Sequence, residues 1–144
     1  MDLRQITEDF AVAPQIEIED FTALANAGFR TVINNRPDDE IDDALSSKQM
    51  AQAAAEAGLA YHYLPYFPGA MTPELVSEFE ALLARVEGPV FAYCRSGTRC
   101  SHLWSMSQAG HRDTAEIIAL AAEAGYDNRA MEGLLSAYAA KRST

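Results

Sequence analysis

A short apolar segment that runs directly into a polar, glycine-containing loop is the feature that most constrains how this chain folds. Residues 90–93 (VFAY) predict a buried strand, and residues 94–99 (CRSGTR) form a polar loop with a central glycine. The residues that follow, 101–108, predict a helix. In open α/β sheets, ligands bind beyond the carboxyl ends of the strands. The segment therefore indicates a fold class and the position of a site within it.

The rest of the chain alternates strands and helices in the same way. Further strands are predicted over 10–14, 31–35 and 60–66, and helices over 18–27, 50–57, 73–86, 101–108, from 114 onward and over 131–138. Thr72 is expected to cap the third helix, and Asp113 opens the fifth with capping-box spacing. This order predicts a three-layer α/β fold with a central, mostly parallel sheet of four or five strands. We expect the last three helices to cover one side of that sheet, and residues 1–144 to form one domain.

Composition excludes several classes of protein. Of the 144 residues, 49% are hydrophobic and 22% are charged, which is typical of a globular protein. The formal net charge of −10 disfavours binding to nucleic acid or to anionic membranes. No stretch approaches the roughly 20 apolar residues of a membrane span, and residues 1–10 lack the apolar run of a secretory signal. We therefore expect a cytoplasmic location, where thiols stay reduced.

The loop after the buried strand combines a nucleophile with donors for an anion. Backbone N–H groups of a tight loop and the N-terminus of the following helix converge on one anionic group, and Arg99 adds a planar bidentate donor. The same positive field lowers the pKa of Cys94, and the thiolate is the reactive form of cysteine. Cys94 and Arg99 are therefore the candidate catalytic residues. The plainer alternative is that Cys94 is a buried structural cysteine in an ordinary turn.

The other loop residues have predicted roles of their own. The candidate anion-binding residues are Arg95, Ser96, Gly97, Thr98, Cys100 and Ser101. Cys100 is either a resolving thiol that forms a disulfide with Cys94 on oxidation or a small packed residue at a helix start. Arg95 either adds charge to the pocket or points to solvent. The acidic residues 38–43 match no calcium-loop pattern, so we predict a solvated loop and neither a metal nor a cofactor.

Three stretches of the sequence resemble a known family. They are residues 31–40 (TVINNRPDDE), residues 94–99 followed by Leu103 and Trp104, and residues 124–127 (AGYD). Together they resemble the bacterial phosphatase-like domain that is found alone or fused to metallo-β-lactamase-like hydrolases. The resemblance implies a fold like that of dual-specificity phosphatases, and a metallo-hydrolase as a partner. It also implies that the loop carrying Glu40 borders the pocket, which makes Glu40 a candidate acid.

The sequence departs from the phosphatase pattern at four points. Four residues separate Cys94 from Arg99, where tyrosine and dual-specificity phosphatases have five and rhodanese-like sulfurtransferases have four. Tyr93 replaces the usual histidine. Cys100 stands where a hydroxyl residue usually follows the arginine, although Ser101 is a candidate substitute. The loop over 65–71 has no carboxylate to protonate a leaving group.

These departures favour sulfur chemistry. The leading prediction is a sulfurtransferase that carries a persulfide on Cys94 and acts on a small anionic or sulfane-sulfur substrate. The alternative is a phosphatase that forms a phosphocysteine on the same residue. A third reading is a non-catalytic module that uses the loop to bind an anion.

Overall fold

A computed structural model describes residues 1–142 of the chain, in which strands and helices alternate. The strands are β1 (Arg4–Thr7), β2 (Phe10–Ala13), β3 (Thr31–Asn34), β4 (Ala60–Tyr63) and β5 (Val90–Tyr93). The helices are α1 (Asp20–Asn26), α2 (Ser47–Glu56), α3 (Pro73–Arg85), α4 (Thr98–Gln108), α5 (Thr114–Glu123) and α6 (Glu132–Arg142). Short 3₁₀ turns lie at Asp38–Glu40, Asp43–Leu45 and Arg129–Met131.

The strands form a five-stranded sheet in the order β1-β2-β5-β3-β4. Only β1 runs antiparallel to its neighbour, so the predicted, mostly parallel sheet is confirmed. Strand β5 lies at the centre and pairs with β2 on one side and β3 on the other. The loop that follows β5 therefore leaves the middle of the sheet, at the carboxyl edge of the parallel strands.

Helices cover both faces of the sheet. Alternate residues of β5 point to opposite faces: Val90 and Ala92 belong to one apolar cluster, Phe91 and Tyr93 to the other. The first cluster contains buried side chains from α3, α4, α5 and α6, and the second contains those of α1 and α2. The prediction that the last three helices share one face is confirmed, and α3 joins them there.

The structure differs from the sequence prediction in where three elements lie. Strand β1 was not predicted, because Ile6 is its only fully buried side chain and the segment lacks an apolar run. Strand β4 ends at Tyr63 rather than at residue 66, although the N–H groups of Leu64 and Tyr66 still donate to the carbonyls of Asn34 and Asn35 at 2.9 Å. Helix α4 begins three residues earlier than predicted, directly after Gly97. The chemistry-bearing loop is thus shorter than the sequence indicates.

The two predicted helix caps have different outcomes. The Thr72 hydroxyl accepts a hydrogen bond from the Leu75 N–H at 3.1 Å, so the predicted cap of α3 is confirmed. Asp113 occupies the cap position of α5, but its side chain makes no capping hydrogen bond. The helix begins where the sequence predicts, but the hydrogen bond expected of a capping box is not formed by the Asp113 side chain.

Within residues 1–142, no helix has both the length and the apolar composition needed to cross a bilayer.

Because Thr72 makes a capping hydrogen bond and Asp113 does not, alanine substitutions at the two positions should lower stability unequally. Replacing Thr72 by alanine removes a cap hydrogen bond and should lower the free energy of unfolding by about 1 kcal/mol in urea denaturation. Asp113→Ala is the matched control, because it removes only the favourable charge at the helix N-terminus, worth about 0.3 kcal/mol. A loss in Asp113→Ala that equals the loss in Thr72→Ala would contradict the assignment.

Candidate active site

The predicted nucleophile lies at the carboxyl end of the central strand. Cys94 directly follows β5 and is fully buried. Its backbone N–H donates to the Ala13 carbonyl at 3.4 Å, which continues the pairing between β5 and β2 beyond the last strand residue. Its Sγ accepts a hydrogen bond from the Gly97 N–H at 3.1 Å. The loop therefore folds back over the sulfur, as the sequence predicts for an anion-binding turn.

Glycine is required at position 97 for two reasons. Its φ of +88° lies in the left-handed region, which other residues rarely adopt. In addition, a Cβ at this position would lie 2.0 Å from the hydroxyl oxygen of Tyr126. The turn at Gly97 ends the loop and starts α4, whose N-terminus carries partial positive charge. The loop N–H groups and the helix N-terminus thus face the same sulfur.

The electrostatic surroundings of Cys94 favour the thiolate. A hydrogen bond from the Cys100 thiol, helped by the backbone N–H groups of Cys100, Gly97 and Arg99, lowers the pKa of Cys94 to about 6 against the opposing effect of burial. The pKa of Cys100 is raised well above its ordinary value by burial and by the neighbouring Cys94 sulfur. Cys100 consequently remains a protonated donor while Cys94 ionises.

Cys100 and Ser101 are the two residues that follow Arg99 in the first turns of α4. Both residues are fully buried. The Ser101 hydroxyl donates to the Thr98 carbonyl at 2.8 Å and accepts from the Asn128 side chain at 3.4 Å, so it serves the packing of α4. The role of Ser101 as a substitute for the missing hydroxyl therefore stays a prediction, while in the structure its hydroxyl contacts Thr98 and Asn128. The thiol of Cys100 is the side chain that lowers the pKa of Cys94.

Arg99 is held rigidly by the acidic turn. Its Nη1 and Nη2 donate to the two carboxylate oxygens of Glu40 at 2.9 and 2.6 Å, and Nη1 also donates to the Tyr66 carbonyl at 2.6 Å. Hydrogen bonds and charge from Arg99 lower the pKa of Glu40. Glu40 is therefore ionised near neutral pH, and this geometry fits a residue that positions Arg99 better than the acid that the resemblance implied.

The remaining loop residues face outward to different extents. Arg95, Ser96 and Thr98 are exposed. The Ser96 hydroxyl accepts from the Thr98 N–H at 3.3 Å and donates to the Thr98 hydroxyl at 2.9 Å, which stiffens the turn. The Arg95 carbonyl accepts from the Gln15 N–H at 3.3 Å, so the loop is anchored to the segment after β2. The exposed Arg95 side chain agrees with the solvent-facing alternative.

The stretch after β3 builds the support for Glu40. Arg36 donates to the Glu40 carbonyl at 2.7 Å and to the Gln15 side chain at 3.2 Å. The Asp38 carboxylate accepts from the backbone and hydroxyl of Ser47 at 2.7 and 2.6 Å, at the start of α2. In residues 1–142, no three His, Cys, Asp or Glu side chains cluster as metal ligands would. The contacts of Arg36 and Asp38 therefore hold the turn that carries Glu40.

The sequence named Glu40 and Cys100 as candidates, but it did not predict the contacts that they and Tyr126 make in the site. Nothing in local spacing places Glu40 against Arg99, 59 residues away, or gives Cys100 the donor role. Tyr126 was noted only within the family resemblance, yet its hydroxyl contacts the Ser96 carbonyl at 3.1 Å. In the sequence, Gly97 and Tyr126 are 29 positions apart, so their contact can be recognised only in the folded chain.

The chain matches a known protein family over most of its length. The family model of the phosphatase-like domain of beta-lactamase hydrolase-like proteins matches residues 2–111. The chain belongs to this family. A beta-lactamase hydrolase-like protein from Xylella fastidiosa is 33% identical over 129 residues, which make up 88% of this chain. The chain spans only 30% of that relative's length. The resemblance noted in the sequence is thus confirmed.

Solved structures agree on the fold. A crystal structure of a candidate phosphatase from Neisseria meningitidis superposes with a TM-score of 0.84 at 32% identity, covering 96% of this chain and 99% of that one. The catalytic core of the PP-IP phosphatase SIW14 from S. cerevisiae, at 12% identity, has a TM-score of 0.70 and covers 99% and 90% of the two chains. At that identity the likeness concerns the fold alone.

These comparisons favour one of the predicted activities. The family and the Neisseria protein both indicate an enzyme of the phosphatase-like, cysteine-based hydrolase class. The leading prediction of a sulfurtransferase finds no support among them, whereas the phosphatase alternative does.

The hydrogen bond from Cys100 predicts how the reactivity of Cys94 depends on pH. Alkylation requires the thiolate, so its rate should rise with pH and level off above a midpoint near 6 in the wild-type protein. Cys100→Ala removes the side-chain donor and should move the midpoint toward the value of about 8.5 of a free thiol. Cys100→Ser keeps a donor and should move it less. An unchanged midpoint in Cys100→Ala would show that the backbone alone sustains the thiolate.

Proposed function

We propose that this protein hydrolyses phosphate monoesters by way of a phosphocysteine on Cys94. The observation that carries the proposal is the Cys94 sulfur under the Gly97 N–H, at the junction of β5 and α4. A thiol with a pKa of about 6 is mostly ionised at neutral pH. The membership of a phosphatase-like family supports the same chemistry. No metal or cofactor is needed for these steps.

The reaction has two steps on the same sulfur. The Cys94 thiolate donates its electron pair to phosphorus while the bond from phosphorus to the ester oxygen breaks, and the leaving oxygen departs as an anion that takes its proton from water. Water then attacks phosphorus, phosphate leaves, and the thiolate is regenerated. In both steps the charge on the non-bridging oxygens is stabilised by the loop N–H groups, the N-terminus of α4 and the guanidinium of Arg99.

Arg99 is oriented to bind the phosphoryl group through one edge. Glu40 and the Tyr66 carbonyl take both N–H groups of Nη1 and one of Nη2. Within residues 1–142, the structure gives no protein partner to Nε–H or to the second N–H of Nη2. These two donors lie on the same side of the planar guanidinium and match two oxygens of a phosphoryl group. Glu40 therefore fixes one edge of Arg99 and leaves the other for substrate.

The absence of a proton donor on the expected loop selects among phosphate esters. Residues 65–71 contain no carboxylate, and Glu40 is ionised by its pair with Arg99. Without an acid, the leaving oxygen departs as an anion, so weakly basic leaving groups react fastest. The phenol of tyrosine has a pKa of about 10, far below that of an aliphatic alcohol. We therefore propose phenolic esters such as phosphotyrosine as the preferred class.

Other aspects of function remain predictions. A metallo-hydrolase partner follows only from the resemblance and from relatives that are longer than this chain. A cytoplasmic location is likewise an expectation from the sequence.

The proposal is tested by turnover of two substrates side by side. The wild-type protein should release phosphate from a phosphotyrosine peptide and should form no thiocyanate from thiosulfate and cyanide. Cys94→Ser should abolish phosphate release, because a serine hydroxyl is a far weaker nucleophile at this pH. Thiocyanate formation that depends on Cys94, without phosphate release, would overturn the proposal in favour of sulfur transfer. Binding of phosphate with neither turnover would indicate a non-catalytic module.

The role of Glu40 is tested by its leaving-group dependence. If Glu40 positions Arg99, Glu40→Gln should lower kcat/KM about tenfold, near 1.4 kcal/mol, for phosphotyrosine and phosphoserine peptides alike. If Glu40 were the acid, the phosphoserine peptide would lose far more, since its leaving group needs the proton. Glu80→Gln is the matched control: Glu80 makes a similar two-oxygen pair with Arg142, which is a contact between α3 and α6. That variant should retain full turnover.

A further inference from the structure

The connector between α5 and α6, residues 124–131, packs against the Cys94 loop. It lies beyond residues 2–111, which the family model matches. It also contains residues 124–127, the last of the three stretches that resemble the family. The contact between connector and loop centres on Tyr126, which is 7% exposed.

The hydroxyl of Tyr126 holds a single peptide group of the loop. It donates to the Ser96 carbonyl at 3.1 Å. The Ser96 carbonyl and the Gly97 N–H belong to the same planar trans peptide, so the two groups point in opposite directions. With the carbonyl bound by Tyr126, the N–H is directed to the other side, where it donates to the Cys94 sulfur at 3.1 Å. The hydrogen bond from Tyr126 to the Ser96 carbonyl and the one from the Gly97 N–H to Cys94 therefore use opposite sides of the same peptide group.

The side chain of Tyr126 also packs directly against the backbone of Gly97. A Cβ on Gly97 would lie 2.0 Å from the Tyr126 oxygen and 2.9 Å from its Cζ, so the ring abuts the backbone directly. Burial raises the pKa of Tyr126 to about 12, which keeps its hydroxyl protonated and able to donate.

Tyr126 is itself held in place from two directions. The guanidinium of Arg4 on β1 lies 5.4 Å from the centroid of its ring, and Arg4 Nη1 donates to the Ala124 carbonyl at 3.0 Å. This approach requires glycine at position 125, where a Cβ would lie 2.0 Å from Arg4 Nη1. On the other side, the Asn128 side chain donates to the Ser105 hydroxyl of α4 at 3.2 Å. The connector is therefore clamped between β1 and α4.

We propose that Tyr126 is a positioning residue that fixes the Ser96–Gly97 peptide with its N–H directed at Cys94. It does not touch the reacting atoms, and it acts through Gly97. Loss of its hydroxyl frees the peptide to rotate, which removes a donor from the sulfur and from any anion bound above it. This inference deepens the proposed function, since the same loop holds the phosphoryl group, but it concerns the state of the thiol and can be measured without a substrate.

The test compares two tyrosine-to-phenylalanine variants by the pH dependence of Cys94 alkylation. Tyr126→Phe keeps the ring and removes the hydroxyl. It should raise the alkylation midpoint by about half to one pH unit, in line with the loss of one hydrogen bond to a charged sulfur. Tyr138→Phe is the matched control, because the ring of Tyr138 packs against the guanidinium of Arg142 on the same helix, α6. Its midpoint should equal that of the wild type.

Turnover and stability separate positioning from simple packing. With a phosphotyrosine peptide, Tyr126→Phe should lower kcat about three- to tenfold. Arg4→Gln, which removes the cation above the ring, should shift the alkylation midpoint in the same direction by a smaller amount. A lower Tm for Tyr126→Phe together with a wild-type midpoint would overturn the inference and leave Tyr126 a packing residue. A raised midpoint in a protein without phosphatase activity would uphold it while refuting the proposed function.

Discussion

The structure depends on keeping a negatively charged sulfur inside the protein. A buried anion is costly unless donors replace the water that it loses. Around Cys94 these donors come from the Gly97 N–H at 3.1 Å, the Cys100 thiol and the start of α4. Each of them requires a specific backbone path. The sulfur must leave the central strand, the chain must turn back at a left-handed glycine, and a helix must begin at once.

The parts of the fold that follow from local patterns could be predicted from the sequence. The apolar segment before Cys94, the glycine within the loop and the Thr72–Pro73 helix start are all set by neighbouring residues. Strand β1 could not be found in this way, because its residues are mostly polar and it is defined by pairing with β2. The same holds for the pair between Arg99 and Glu40, which joins residues 59 positions apart. Such contacts arise from tertiary packing, which periodicity does not encode.

The sequence favoured sulfur transfer because of the number and type of residues in the loop, whereas the structure shows where their donor groups point. Four residues between Cys94 and Arg99 suggested a small ring of donors, and the cysteine after Arg99 suggested a lost hydroxyl. In the structure, the short loop still directs an N–H at the sulfur, and Cys100 donates as a hydroxyl would. The lack of a carboxylate after β4 keeps its weight. It bears on which phosphate esters react, and less on whether phosphate is the substrate.

If Cys94 is the nucleophile, it becomes covalently phosphorylated during turnover, and the phosphorylated residue can be trapped. Wild-type protein is mixed with an excess of a phosphotyrosine peptide, unfolded in alkaline denaturant within the first turnovers because a phosphocysteine hydrolyses in acid, and digested at alkaline pH for peptide mass spectrometry. We predict one phosphoryl group on the peptide that contains Cys94, present during turnover and lost when substrate is exhausted. Steady phosphate release with no phosphoryl group on Cys94 at any time would contradict it.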